Sequence, residues 1–184
     1  MTDPESERNT VLDRLAEAAG LLGGMDTRLI PAKGLSFGFA IRGARDAGGI
    51  AGIRDGFRQG TTPSRTEGSI SFGVDTRVAP VILTTMKFDS AVRSAALLRY
   101  SDVSISVLES MFLECVSFDP ARVPPGISTM DWGVASCCEE GVPDVIFTTD
   151  YRGDGGIIRL LGEDPVVVAN NILILSNRVL HSEL

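Results

Sequence analysis

Short apolar runs of strand length alternate with longer stretches of helical periodicity along the 184 residues, and that alternation limits the fold more than any other feature. Val11, Leu12, Leu15, Ala18, Ala19 and Leu22 recur at helical spacing behind Asp3-Pro4, an N-cap and first-turn pair, and Gly23-Gly24 ends the pattern. Leu29-Ile30-Pro31 and Leu35 to Ile41 read as strands, the second with Phe37 and Phe39 on one face. Residues 43–68 read as loop around a short apolar step, Ile50 to Ile53. Downstream, strands are expected at 69–72, 95–100, 116–118, 144–147 and 157–161. Helices are expected at 77–87, 104–115, 129–140 and from Asp164-Pro165 onward. Strands alternating with helices predict an α/β domain, and apolar strand runs are what buried central strands carry. With no repeat, low-complexity tract or linker, residues 1–184 read as one domain.

Composition excludes several classes. No apolar run reaches the roughly 18 residues of a membrane span, and the polar, acidic N-terminus lacks a signal peptide's pattern, so a cytoplasmic protein is expected. Net charge is −7 with no Lys/Arg run, which argues against a nucleic-acid or anionic-membrane surface. Cys115, Cys137 and Cys138 are odd in number and lack framework spacing, which fits a reducing compartment. The one histidine, His181, lies in the C-terminal tail, so histidine-based nucleophilic or zinc chemistry is not expected.

What remains is anion chemistry. Gly48-Gly49-Ile50-Ala51-Gly52 and Gly153-Asp154-Gly155-Gly156 could present backbone N–H groups to phosphate, or simply turn the chain. Asp89, Asp119, Asp131, Asp144 and Asp150 could supply magnesium ligands or cap turns. Arg77, Arg93, Arg99 and Arg159 flank apolar segments and could pair with phosphate.

Four ordered blocks then carry a resemblance. They are Met86-Lys87-Phe88-Asp89 with Arg93 and Leu98-Arg99-Tyr100-Ser101; Val116-Ser117-Phe118-Asp119; Gly126-Ile127-Ser128-Thr129-Met130-Asp131-Trp132-Gly133; and Pro143-Asp144-Val145-Ile146 with Ile158-Arg159-Leu160-Leu161-Gly162-Glu163-Asp164-Pro165. Together they resemble the ThiN-type thiamine-phosphate synthase domain over roughly residues 10–180. The resemblance implies a three-layer α/β/α fold with a mixed central sheet, like the N-terminal domain of class II aldolases. It also implies a phosphorylated ligand, since family enzymes join hydroxymethylpyrimidine diphosphate to a thiazole phosphate and release pyrophosphate. Gly73, Arg77, Lys87, Asp89, Arg99, Ser128, Thr129, Asp131 and Asp144 are the ligand-binding residues it implies. Mg²⁺ is implied only if the chain is catalytic, and a homodimer is possible.

The chain departs from the family pattern at polar positions. Gly56 stands where the pattern has arginine, with Arg54 or Arg58 as substitutes; Arg77 replaces a histidine, Leu97 an asparagine, and Asp154 a lysine. Arginine cannot act as a proton shuttle near neutrality. The expected function is therefore binding of thiamine phosphate or its phosphorylated precursors with reduced or absent catalysis. The alternative is an active synthase, with Arg54 and Arg77 as candidate catalytic residues.

Overall fold

The structure is a computed structural model that describes residues 3–150 and 155–182. A seven-stranded sheet forms its middle layer. In chain order the elements are α1 (Pro4–Leu21), β1 (Ser36–Ala40), β2 (Ile50–Ile53), β3 (Ile70–Phe72), α2 (Ala79–Phe88), β4 (Ser94–Arg99), α3 (Asp102–Ser110), β5 (Cys115–Ser117), α4 (Trp132–Ser136), β6 (Val145–Thr148), β7 (Ile157–Gly162) and α5 (Pro165–Ser182). The strand order is β3-β2-β1-β4-β7-β6-β5. Every neighbouring pair is antiparallel except β5 with β6, so the sheet is mixed.

Alternation of side chains across each strand divides the core in two. Phe37 and Phe39 of β1, Ala96 and Leu98 of β4, and Ile158 and Leu160 of β7 pack with α1, α3 and α5. The intervening Ala40, Ala95, Leu97 and Leu161 pack with α2 and α4. All five residues of β1 are buried, because helices cover both faces of this central strand. Gly38 of β1 is needed there: a Cβ would stand 2.9 Å from Val78 and 3.0 Å from Ile82.

Four sequence expectations change. Leu29 belongs to a 3-10 turn whose N-cap, Asp26, accepts the Arg28 N–H, and Ile30 closes it; Leu29-Ile30-Pro31 is therefore no strand. The Ile50 to Ile53 step is no loop feature but a fully buried strand, paired to β1 and β3. The helix expected over 104–115 runs from Asp102 to Ser110. It stops where Phe112 takes a left-handed conformation (φ 62°), which frees Cys115 to begin β5. The helix expected over 129–140 shrinks to α4, with Asp131 as its N-cap.

Candidate functional site

The strand directions bring several chain ends to one end of the sheet. The approach to β1, the end of β4, the start of β7 and the exit of β5 all meet there. On the α2 face of that end lies a cleft of about 790 Å³. Its floor is Leu97 and Arg99 of β4 with Ile157 and Arg159 of β7. One wall is the 31–34 turn together with Thr76, Arg77, Pro80 and Val81. The other is Phe118, Trp132 and the proline-rich 120–131 segment.

Among the described residues, four cations line the cleft, namely Lys33, Arg77, Arg99 and Arg159, against a single carboxylate, Asp131. Arg99 and Arg159 stand on the adjacent strands β4 and β7, whereas Lys33 lies in the turn before β1 and Arg77 just ahead of α2. Arg159 is 2% exposed, and its guanidinium lies 5.1 Å from the Phe118 ring centroid. The Phe118 ring is pressed on Gly133, where a Cβ would lie 2.2 Å from the ring. Trp132 is 42% exposed, an aromatic plate open to a ligand.

Arg77 is placed by local chemistry. The buried Asp75 accepts the N–H groups of Arg77 (2.9 Å) and Val78 (3.2 Å), which fixes the entry into α2. Arg77 Nη2 then donates to the Lys33 carbonyl at 3.2 Å. Arg58 Nη1 donates to the neighbouring Ala32 carbonyl, also at 3.2 Å, so two arginines hold the 31–34 turn. Gly56, with φ 74°, lies beneath Arg77: a Cβ there would sit 3.1 Å from Nη2.

The residues singled out in the sequence divide accordingly. Arg77, Arg99 and Asp131 line the cleft, as does Leu97. Asp131 is half committed, since its Oδ1 caps α4 by accepting the Val134 N–H at 3.0 Å. Lys87, Ser128 and Thr129 stand outside the lining; Lys87 Nζ donates to the Thr129 carbonyl at 2.9 Å and ties the 120–131 segment to α2. Asp89 accepts the Ala91 N–H in a local turn, and Asp144 accepts the Glu114 N–H at the opposite end of β6. Asp119 likewise accepts the N–H of Ala121. Gly73, Arg54 and Gly56 are not in the lining, and Asp154 lies outside the described residues. Lys33, Phe118 and Trp132 also line the cleft; no local pattern marks Lys33, while Phe118 and Trp132 fall inside the blocks quoted above.

Proton-transfer groups are few. Tyr100 lines the cleft, but its hydrogen bond to Asp102, with burial, pushes its hydroxyl above the ordinary range and keeps it protonated. Burial pushes the Cys115 and Cys138 thiols up to about 11, and burial raises Cys137 as well, so none is a ready thiolate. Among the described residues, no three His, Cys, Asp or Glu side chains gather into a metal site, and no helix is long and apolar enough to cross a membrane.

Fold and cleft together define the class. This is a mixed sheet between helical layers, with a cationic cleft at the strand ends. The N-terminal class II aldolase domain of a conserved protein from Thermoplasma acidophilum has this fold, with a TM-score of 0.50 at 14% identity over 100% of this chain and 97% of that one. The match to the family described as Thiamine-phosphate synthase ThiN runs over residues 14–174, and the chain belongs to that family. It is 29% identical over 171 residues to the bifunctional thiamine biosynthesis protein ThiDN of Methanocaldococcus jannaschii. The alignment covers 91% of this chain but only 41% of that protein. The C-terminal domain of protein MJ0236 superposes with a TM-score of 0.80 at 27% identity, covering 100% of both chains.

Proposed function

We propose that this cleft binds thiamine phosphate or one of its phosphorylated precursors, with catalysis reduced or absent. The observation that carries this reading is the charge of the lining. Among the described residues of the lining, four cations face one carboxylate in a chain with 24 acidic and 17 basic residues, so positive charge is concentrated there against the overall balance. Arginine and lysine N–H groups recognise phosphate oxygens, and Trp132, Phe118 and the prolines offer apolar faces to a flat ring. Weak proton-transfer chemistry fits the lining, which contains no histidine and whose Asp131 is partly spent on a helix cap. Thiamine biosynthesis, the family's pathway, supplies phosphorylated pyrimidine and thiazole ligands of this description.

A second reading, an active synthase, is favoured by the position of Arg77. Its guanidinium lies over Gly56, so the positive charge missing at one departure is supplied at the same place by another. Forming thiamine phosphate requires stabilising departing pyrophosphate, which fixed cations can do with little help from a general base. Magnesium is usually held by one or two carboxylates and substrate phosphates, and Asp131 fits an ion delivered with a diphosphate. Such an ion would neutralise the leaving group.

Calorimetry with thiamine phosphate and with each precursor tests the first reading, and absence of binding to all three removes it. Pyrophosphate release from the two precursors with Mg²⁺ at high protein concentration tests the second. Sustained turnover there would replace reduced catalysis with an active synthase.

A further inference from the structure

Given a cleft that takes a phosphorylated ligand, we infer that Arg77 is its fixed anion ligand and that Gly56 and Asp75 are positioning residues built to seat it. A long exposed arginine ordinarily samples many rotamers, and ordering it on binding costs affinity. Here three features of the fold remove that freedom in advance.

The first is Asp75, 7% exposed, whose Oδ1 accepts the Arg77 and Val78 N–H groups and sets the direction in which the Arg77 side chain leaves the backbone. Close packing holds this carboxylate, since a Cβ on Gly52 of β2 would meet the Asp75 Cβ at 2.7 Å. The second is the Lys33 carbonyl, which accepts from Nη2 and leaves the other guanidinium N–H groups for an acceptor in the cleft.

The third is a pair of glycine turns. Gly34 (φ 91°) and Gly56 (φ 74°) approach so closely that a Cβ on Gly34 would lie 2.8 Å from the Asp55 carbonyl oxygen. A Cβ on Gly56 would lie 3.0 Å from the Gly34 backbone and 3.1 Å from Arg77 Nη2. The guanidinium thus rests on backbone that no side chain covers. Among the described residues, Arg77 makes no ion pair with a carboxylate. A pre-oriented guanidinium in a cleft is the arrangement that a phosphate monoester or diphosphate requires.

Gly60 supplies a matched control. It also has positive φ (82°), but a Cβ there would touch nothing within 4 Å. Gly56→Ala and Gly60→Ala therefore share the strain of positive φ, the first alone also meets the Gly34 backbone and Arg77, and the double variant isolates the part that acts through Arg77. The experiment titrates inorganic pyrophosphate and thiamine phosphate into wild type, Arg77→Met, Arg77→Lys, Gly56→Ala, Gly60→Ala and the Gly56→Ala/Arg77→Met double variant.

The expected result is a loss on the order of tenfold or more for both anions in Arg77→Met, with partial recovery in Arg77→Lys. Gly56→Ala should weaken binding comparably, Gly60→Ala should not, and Gly56→Ala should add nothing once Arg77 is gone. Arg77→Met binding thiamine phosphate as wild type does would overturn the role of Arg77 while leaving the proposed ligand intact. A wild type that binds pyrophosphate through Arg77, but neither thiamine phosphate nor its precursors, would overturn the ligand and keep the seat. Failure of wild type to bind any of these anions would overturn both. If Gly56→Ala does not fold, the two variants of the exposed Arg77 still decide whether it holds the anion.

Discussion

On one face of the sheet three helices lie over strand side chains that are almost all hydrocarbon. On the other, α2 and the short α4 leave the ends of β4 and β7 uncovered, and arginines emerge in the gap. Both faces grow from the same strands, one residue out of phase. Leu98 seals the first face, while its neighbours Leu97 and Arg99 floor the cleft on the second. Stability should therefore be concentrated on the α1/α5 face and ligand recognition on the α2 face, and substitutions can separate the two.

The largest expected effect lies on the sealed face. Phe37 is fully buried between β1 and the helical layer, so Phe37→Ala should cost about 3–5 kcal/mol in chemical denaturation, through lost burial and the cavity left behind. Anion affinity of the fraction still folded should not change. An accompanying loss of affinity would mean that the two faces are mechanically coupled. Next is Gly38→Ala, which points into the α2 face at 2.9 Å from Val78. Overpacking there should cost about 1–3 kcal/mol by the same assay, and it should also disturb anion binding, because Val78 directly follows Arg77.

Asp75→Ala should cost about 1–3 kcal/mol by leaving the Arg77 and Val78 N–H groups without their acceptor, whereas Asp75→Asn keeps an acceptor and should lose much less. Equal destabilisation by the two variants would show that the charge of Asp75 matters beyond the N–H groups it holds.

The frame was legible in the sequence, whereas the cleft was legible only at Arg77, Arg99, Asp131 and Arg159, for a physical reason. Periodicity reports burial, and burial is what Val11, Leu15, Phe37, Phe39 and Leu98 share. It even located Ile50 to Ile53, although their setting among glycines and arginines read as loop. Short elements erred where one backbone conformation decided the outcome, as at Phe112, whose positive φ ends α3 early. Convergence is a property of strand order, which no local pattern records. Asp144 and Arg159 both flank apolar strands in sequence. Yet Asp144 immediately precedes β6 at the far end of the sheet, while Arg159 follows the start of β7 at the near end. Lys87 matched a motif but was spent on the Thr129 carbonyl. Lys33 matched none and lines the cleft.

The smallest effect concerns how the sealed face responds to acid. Asp164, at the start of α5, is pushed up by its own burial. Hydrogen bonds from Arg14 of α1 and from the N–H groups of Val166 and Val167 outweigh that push and hold its carboxyl below the ordinary range. A carboxylate with a depressed folded-state pKa stabilises the fold at pH values above the unfolded pKa, about 3.9, and loses that contribution as pH falls through the folded value. The Arg14 and Asp164 side chains are 39% and 31% exposed, so solvent screens much of the pair and its share should stay within about 1 kcal/mol. Stability measured from pH 6 to pH 3 should fall less steeply for Asp164→Asn than for wild type, with the curves converging at the acid end. Anion binding above pH 5 should be the same in both proteins, because this ion pair joins α1 to α5 on the face away from the cleft. An unchanged acid slope would show that Asp164 contributes only its hydrogen bonds. A change in affinity would show that the α1/α5 layer reaches the cleft after all.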